Sequence, residues 1–250
     1  MDFTVLTIFP EMVNAFFRHG IVRRAIDAGI ITAGSVDIRD YAAGRHRQVD
    51  DRPYGGGNGM VMKPEPLAAA IEAAQARRPA ARTVLLTPQG RVFTQAAAAA
   101  LAADAEDLVL ICGRYEGIDD RIREQWVTDE ISVGDYVLTG GELAAMIVID
   151  AVTRLLPGAL GGEDSAARET FQEGRLEHAH YTRPAVFDDR VVPEVLISGD
   201  HEKIASWRLE NSLRRTFINR PDLLRERSLS APERRILETW CRELEAIIAG

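Results

Sequence analysis

Short strand-like apolar runs alternate with helix-like segments, and this alternation limits the possible fold more than any other feature of the chain. A strand–helix alternation predicts a mostly parallel sheet with helices on its faces. The predicted fold class is therefore α/β for the first part of the chain. The predicted strands cover 3–9, 30–38, 83–86, 108–112 and 127–131, and the predicted helices cover 10–20, 21–29, 67–76, 94–103 and 118–124.

Three successive predicted strands end in turns that are rich in glycine or proline. These turns are Pro88-Gln89-Gly90, the segment 113–117 and the segment 132–141. In open α/β sheets, ligands bind at the carboxyl ends of the strands. We therefore expect the three turns to converge on one ligand site.

The segment 129–162 contains the longest of these turns, followed by an apolar helix. Its glycines allow a close approach of the backbone, whose N–H and C=O groups can then read the edge of a flat heterocycle. The helix carries a lone cation, Arg154, before it stops at Pro157-Gly158. Taken alone, the turn is equally consistent with a tight connection that binds nothing.

A long aperiodic loop at 39–62 has five glycines and four arginines. Loops of this length in a compact domain are usually functional. Its GGGNG core matches neither the dinucleotide fingerprint nor the P-loop, because a third glycine at the required spacing and a Gly-Lys-Ser/Thr triplet are both missing. A nucleotide-phosphate loop is therefore the weaker interpretation.

Composition points to a globular, water-soluble chain with 46% hydrophobic and 27% charged residues. The sequence has no apolar run of membrane-spanning length and begins with a strand-like segment, so we expect no signal peptide and a cytoplasmic location. Cys112 and Cys241 lack a CxxC or histidine partner, which indicates reduced thiols and no zinc site.

The last third of the chain changes character. After a polar stretch at 163–174, helical patterns and helix caps predict a second, α-helical domain. Between 201 and 227 there are seven cations against four acids, although the whole chain has a net charge of −8. Lys203, Arg208 and Arg215 fall roughly on one side of a helix that also carries Trp207. This pattern suits a phosphate backbone with a stacked base, and an ordinary solvated face is the alternative.

The sequence context of several other polar residues indicates whether each is functional or structural. Glu116 lies in a glycine-flanked turn with no obvious ion-pair partner, which favours a functional role. Asp119 and Asp120 are expected to cap the following helix. We expect no third metal ligand near His178 and His180, and therefore expect both histidines to be structural.

Seven motifs together resemble the bacterial tRNA (guanine-N1)-methyltransferases. This family, TrmD, belongs to the SPOUT or trefoil-knot methyltransferases, and the similarity covers nearly the whole chain in register. The motifs are LTPQGR, ICGRYEGIDDR, ISVGDYVLTGGE, TRLLPGALG, HYTRP, DDRPYGGGNGM and WRLENSLRRT.

The resemblance implies a knotted S-adenosylmethionine-binding domain at 1–160, a flexible linker at 161–172 and a helical tRNA-binding domain at 173–250. A deep trefoil knot in the first domain could not be worked out from the pattern, since knots are rare in proteins. The family further implies a homodimer with its active site at the interface. The implied substrate is the guanosine on the 3′ side of the anticodon (position 37), in a single-stranded loop. A divalent metal such as Mg²⁺ is possible in this family but cannot be read from the sequence.

The resemblance also assigns site residues. Catalysis would rest on Arg154 and Glu169. The substrate contacts would be Tyr115, Glu116, Glu177, Lys203, Arg208 and Arg215. The cofactor contacts would be Pro88, Gly113, Ser132, Val133, Gly134, Asp135, Tyr136, Val137, Leu138, Gly140 and Gly141.

Glu169 departs from the family pattern, which usually has an aspartate there. The glutamate side chain is longer by one methylene, about 1.5 Å, and Glu177 likewise stands where the family usually has aspartate. We expect Glu169 to remain the general base. The alternatives are a knot-fold methyltransferase for another RNA, and a non-catalytic RNA-binding protein.

Overall fold

A computed structural model describes residues 1–161, 170–171 and 174–249 of the chain. The chain divides into two compact units, Met1–Glu163 and Asp164–Gly250. The predicted domain functions and the linker at 161–172 stay predictions. Within the described ranges, no helix combines the length and the apolar character needed to cross a membrane.

The first unit is built on a five-stranded sheet. Its strands are β1 (Asp2–Thr7), β2 (Thr32–Asp37), β5 (Arg82–Val92), β6 (Leu108–Cys112) and β7 (Asp129–Ser132). They lie in the order β2-β1-β6-β5-β7, and every neighbouring pair is parallel. The predicted α/β fold with a mostly parallel sheet is therefore confirmed. The helices are α1 (Pro10–Phe16), α2 (Gly20–Asp27), α3 (Pro64–Arg77), α4 (Gln95–Asp104), α5 (Asp120–Trp126) and α6 (Glu142–Thr153).

Helices cover both faces of this sheet, and a separate apolar core fills each interface. Strand β6 shows the arrangement, because all five of its residues are buried and alternate between the two cores. Leu108, Leu110 and Cys112 join the core under α1, α2, α4 and α6. Val109 and Ile111 join the core under α3 and α5. Such two-sided burial explains why the strand is a continuous apolar run.

Strand β5 differs from the sequence prediction, which ended a strand at 86 and placed a turn after it. The strand continues to Val92, and both Leu86 and Arg91 pair with Ile131 of β7. Residues 87–90 therefore form an irregularity beside β7. A Cβ atom at Gly90 would lie 2.5 Å from the backbone of Glu130, so this close crossing requires glycine.

The long loop at 39–62 is mostly irregular, as predicted, but it contains a short hairpin that the sequence did not reveal. Strands β3 (Asp50–Asp51) and β4 (Val61–Met62) pair antiparallel within it. Val49 and Met62 are buried in the core under α3, and they fix the base of the loop.

The described part of the second unit is mainly helical. It contains α7 (Glu194–Ile197), α8 (His201–Asn219), α9 (Pro221–Arg225) and α10 (Ala231–Ala249), preceded by the hairpin of β8 (Val186–Phe187) and β9 (Arg190–Val191). One of the helix caps indicated by the sequence is a capping box at the start of α10. Ser230 N–H donates to Glu233 Oε2 at 2.8 Å, and Glu233 N–H donates to Ser230 Oγ at 3.4 Å.

Candidate active site

One cavity of about 380 Å³ lies at the carboxyl ends of β5, β6 and β7. As predicted, all three turns line it, namely residues of 88–90, 113–117 and 132–141. The assigned cofactor residues that line the cavity are Pro88, Gly113, Ser132, Val133, Gly134, Tyr136, Val137, Leu138, Gly140 and Gly141. Asp135 is outside the lining set. The parallel order of the strands explains the convergence, since it directs all three turns to one edge of the sheet.

The 132–141 segment lies directly on the end of β6. Gly141 N–H donates to the Gly113 carbonyl at 3.0 Å, and Gly140 pairs with Arg114 in an antiparallel bridge. A Cβ atom at Gly141 would lie only 2.7 Å from Cys112 Cα. Glycine is thus required here for backbone approach and not merely for a turn.

A second glycine in the same segment is required for its backbone conformation. Gly134 has φ = 144°, and a Cβ atom there would lie 2.6 Å from the Tyr136 ring. The Tyr136 hydroxyl donates to the Val133 carbonyl at 3.0 Å, and Gly134 N–H donates to Ser132 Oγ at 3.3 Å. The segment is therefore folded on itself as one wall of the cavity.

A buried ion pair supports this wall from below. Glu142, 1% exposed, accepts from Arg114 Nη2 at 2.9 Å, from Arg114 Nε at 3.0 Å and from Thr7 Oγ1 at 2.7 Å. The Arg114 guanidinium also donates to the Thr139 carbonyl at 3.2 Å and lies 4.4 Å from the Phe9 ring centre. Sequence reasoning missed Glu142. The available signal was a charged residue directly after Gly140-Gly141, at the start of an otherwise apolar helix.

Cys112 lies beneath this wall and is fully buried. Burial raises the pKa of its thiol well above the usual value, and the nearby Glu142 charge raises it further. The nucleophilic form of a cysteine is the thiolate. Cys112 is therefore a structural residue beneath the cavity wall.

The predicted substrate contacts Tyr115 and Glu116 line the same cavity. Tyr115 has φ = 61°, a conformation that is uncommon for residues other than glycine. Glu116 N–H donates to the Met60 carbonyl at 3.0 Å, which brings the GGGNG loop to this turn. In the described part of the chain, the Glu116 carboxylate forms no ion pair. Asp119 caps α5 by accepting from Arg121 N–H at 3.1 Å, as expected.

The predicted catalytic residue Arg154 is not among the residues that line this cavity. Arg154 is half-buried at the C-terminal end of α6, ten residues beyond Ala144, which lines the cavity. At 1.5 Å per residue, this separation is about 15 Å along the helix. Glu169 lies outside the described residues, so its role as the base stays a prediction.

The remaining predicted substrate contacts lie in the second unit. Arg208 and Arg215 are exposed and seven residues apart on α8, so they share a face. The expectation that Lys203 lies on the same side is wrong, because five residues of helix place it about 140° around the axis from Arg208. Lys203 pairs with Asp200 at 3.0 Å. Not every cation of the basic segment is available for RNA, because Arg227 is bound to Glu233 at 2.7 Å.

The expectation for the two histidines of this unit is also wrong. His178 and His180 were expected to lack a third metal ligand, but the structure brings Glu177 to them. Ligand atoms of the three side chains all lie within 4.8 Å of one another. The reason is local, since these residues are near neighbours on a non-helical segment that the structure folds compactly.

Comparison with known proteins decides the family. Residues 1–226 match the profile of the family described as "tRNA (Guanine-1)-methyltransferase TrmD". The chain belongs to this family. A tRNA (guanine-N(1)-)-methyltransferase of Desulfatibacillum aliphaticivorans is 56% identical over 99% of the chain and 94% of the relative. Proteins of the same name from Geobacter metallireducens and Pseudomonas putida strain GB-1 are 52% and 54% identical, over 95% and 96% of the chain and 96% of each relative.

The tRNA (guanine-1)-methyltransferase profile covers all of the cavity-forming residues and the whole of α8. It ends before α10. The cavity and the exposed arginines of α8 thus both lie in the part of the chain that carries the family signal.

Proposed function

We propose that the chain transfers a methyl group from S-adenosylmethionine to N1 of the guanosine on the 3′ side of the anticodon, position 37 of tRNA. The observation that carries this proposal is the convergence of three turns on one cavity in a member of the tRNA (guanine-1)-methyltransferase family. A cytoplasmic location belongs to the same proposal.

The residues around the cavity fit the proposed methyl donor. A volume of about 380 Å³ is within the range of small-molecule sites. Apolar side chains such as Leu86, Ile131 and Leu138 can contact the adenine faces, and backbone groups of 132–141 can bond its edge. The bound donor would supply an electrophilic methyl group on a sulfonium centre.

In the proposed reaction, the protein removes the N1 proton of guanine and stabilises the negative charge that results. N1 of guanine carries a proton at neutral pH, so its attack requires a general base, which we assign to Glu169. Loss of that proton builds negative charge toward O6, and the Arg154 guanidinium would stabilise it. Guanine N1 and the methyl group of the donor must also be held in line, which supplies much of the remaining rate enhancement.

The distance along α6 supports a homodimeric site. Arg154 lies about 15 Å along the helix from the cavity of its own chain, which exceeds the reach of its side chain. A second copy could supply the missing guanidinium. Neighbouring helices α1 and α6 also expose apolar side chains of the kind that subunit interfaces bury, namely Met12, Leu143 and Ile147.

We propose that the first unit carries the trefoil knot of the family. The supporting feature is the crossing at β5 and β7, where residues 87–90 pass closely over Glu130 and the chain then continues into the 132–141 segment. The second unit would bind the anticodon stem-loop, which the exposed Arg208 and Arg215 support.

The test uses purified protein, a labelled methyl donor and tRNA transcripts that differ only at position 37. We expect methylation with guanosine and none with adenosine at this position. Label that persists without the guanosine would favour another RNA target, and a complete lack of label in the presence of tight tRNA binding would favour a non-catalytic binding protein.

A second experiment tests the base. Glu169→Ala should slow single-turnover methylation by about a hundredfold or more, because general base catalysis contributes at this scale. Glu169→Asp should keep most of the rate, since the carboxylate remains. A Glu169→Ala rate near that of the wild type would remove Glu169 from the mechanism.

A further inference from the structure

We propose that Glu177, His178 and His180 form a binding site for a transition-metal ion of the Zn²⁺ type. Three potential ligand atoms, one from each side chain, all lie within 4.8 Å of one another. His180 Nε2 already lies 3.1 Å from Glu177 Oε1, and the two imidazole ring centres are 4.6 Å apart. None of the three residues lines the cavity of the first unit, and the proposal does not rest on the proposed methyl transfer.

The spacing of the three groups is close to what a metal requires. Tetrahedral Zn²⁺ with ligands at 2.0–2.1 Å places its donor atoms about 3.3 Å apart. The His180–Glu177 distance already matches this value. Because no two of the three ligand atoms are more than 4.8 Å apart, small side-chain rotations are enough to bring all three to one metal ion. Three protein ligands leave a position open for water.

A hydrogen bond of one ring nitrogen of His178 leaves the other ring nitrogen available to a metal ion. Its Nδ1 lies 3.0 Å from the Ala179 carbonyl and is placed to donate to it. That bond selects the tautomer in which Nε2 carries the free lone pair. Histidine ligands in metalloproteins commonly donate their other ring N–H to a carbonyl or carboxylate in this way.

The backbone that carries the trio is held firmly on α8. Leu176 N–H donates to Thr216 Oγ1 at 3.0 Å, and Ala179 N–H donates to Asn211 Oδ1 at 2.8 Å. Ser212 Oγ also donates to the Leu176 carbonyl. The three ligands therefore start from a fixed backbone, which lowers the ordering cost of binding.

The chemical nature of the three ligands indicates which class of metal ion binds. Two imidazoles and one carboxylate suit Zn²⁺, Co²⁺ and Ni²⁺, whereas Mg²⁺ prefers a shell of oxygen atoms. The proposal therefore differs from the Mg²⁺ that the family resemblance left open.

The experiment titrates the full-length, chelator-treated protein with Zn²⁺ by calorimetry. All forms carry Cys241→Ser, because the exposed thiol could itself bind zinc. We expect one equivalent per chain, with His178→Ala and Glu177→Gln each weakening binding at least tenfold. The matched control is His201→Ala, which removes an exposed histidine of the same unit outside the trio and should leave the affinity unchanged.

A second readout locates the ion independently of affinity. Trp207 lies 6.3 Å from the His178 ring, so Ni²⁺ in the site should quench its fluorescence in a Trp126→Phe/Trp240→Phe protein. Circular dichroism checks that each variant is folded. The proposal is overturned if the folded wild type takes up no zinc, if His201→Ala loses as much affinity as His178→Ala, or if Ni²⁺ binds without quenching Trp207.

Discussion

At the scale of single residues, two buried carboxylates stabilise the structure around them through ion pairs. Glu142 holds the cavity wall through Arg114, and Glu233 holds the start of α10 through Arg175 and Arg227. Each is 1–2% exposed, so neither can exchange its partners for water. Breaking such a pair from one side is costly because the remaining charge is left buried.

Arg114→Ala should therefore destabilise the first unit by about 3–5 kcal/mol. Urea unfolding, followed by Trp126 in a Trp207→Phe/Trp240→Phe background, measures this loss. The control is Arg121→Ala, which breaks an ion pair with Asp119 on an exposed arginine and should cost less than about 1 kcal/mol. Equal losses in the two variants would show that Glu142 does not depend on Arg114.

The pKa of Glu233 predicts how the stability of the second unit depends on pH. Burial by itself would raise the pKa of the carboxyl, but hydrogen bonds from Arg227 and Ser230 outweigh it and lower the pKa from 4.5 to about 2. The resulting stabilisation is complete above pH 4.5 and is lost as the pH falls through 2. The folded state gains about 3 kcal/mol from this shift at neutral pH.

The difference in unfolding free energy between wild type and Glu233→Gln should thus shrink by about 1.4 kcal/mol from pH 7 to pH 3.5. A Trp126→Phe background leaves Trp207 and Trp240 as reporters of the helical unit. Exposed Glu210→Gln serves as the control, and no such trend is expected for it. A pH-independent Glu233→Gln difference would contradict the lowered pKa.

At the scale of elements, the sequence predicted what periodicity controls and missed what depends on contacts between distant segments. Alternation of apolar runs was enough for the parallel sheet, and the turn residues after three strands were enough for the cavity. The extension of β5 past Pro88 was not visible, because it depends on a second pairing of Ile131. The partners of Glu142 and the distance of Arg154 from the cavity likewise require the packed structure.

Gly141→Ala tests the contact between the 132–141 segment and β6. The added methyl would lie 2.7 Å from Cys112 Cα, so the segment must move, at a cost of about 1–3 kcal/mol. Calorimetry should show weaker binding of S-adenosylmethionine. Gly34→Ala is a matched control in β2 with no atom within 4 Å, and it should bind the donor normally. Normal donor affinity in Gly141→Ala would exclude the segment as a wall of the donor site.

At the scale of the whole molecule, a net charge of −8 must be reconciled with an RNA substrate. The overall charge repels RNA at long range, so attraction has to come from local groups such as Arg208 and Arg215. Each phosphate contact contributes about 0.7 to the slope of log affinity against log salt for single strands, and about 0.9 for duplexes.

Arg208→Gln/Arg215→Gln should therefore reduce that slope by about 1.4–1.8 for an anticodon stem-loop. Fluorescence anisotropy between 50 and 200 mM salt provides the measurement. Arg220→Gln removes a cation that is already paired with Asp222 at 2.6 Å and should change the slope less. An unchanged slope in the double variant would place the RNA on another surface.

The position of Cys112 under Gly141 has a practical consequence. The chain has two thiols, an exposed one at Cys241 and a buried one at Cys112 beneath the cavity wall. A thiol reagent can reach Cys112 only when the 132–141 segment moves away from it. The rate of Cys112 modification therefore measures how often the cavity opens. The fast modification of Cys241 thus gives the amount of protein, and the slow modification of Cys112 gives the rate at which the cavity opens.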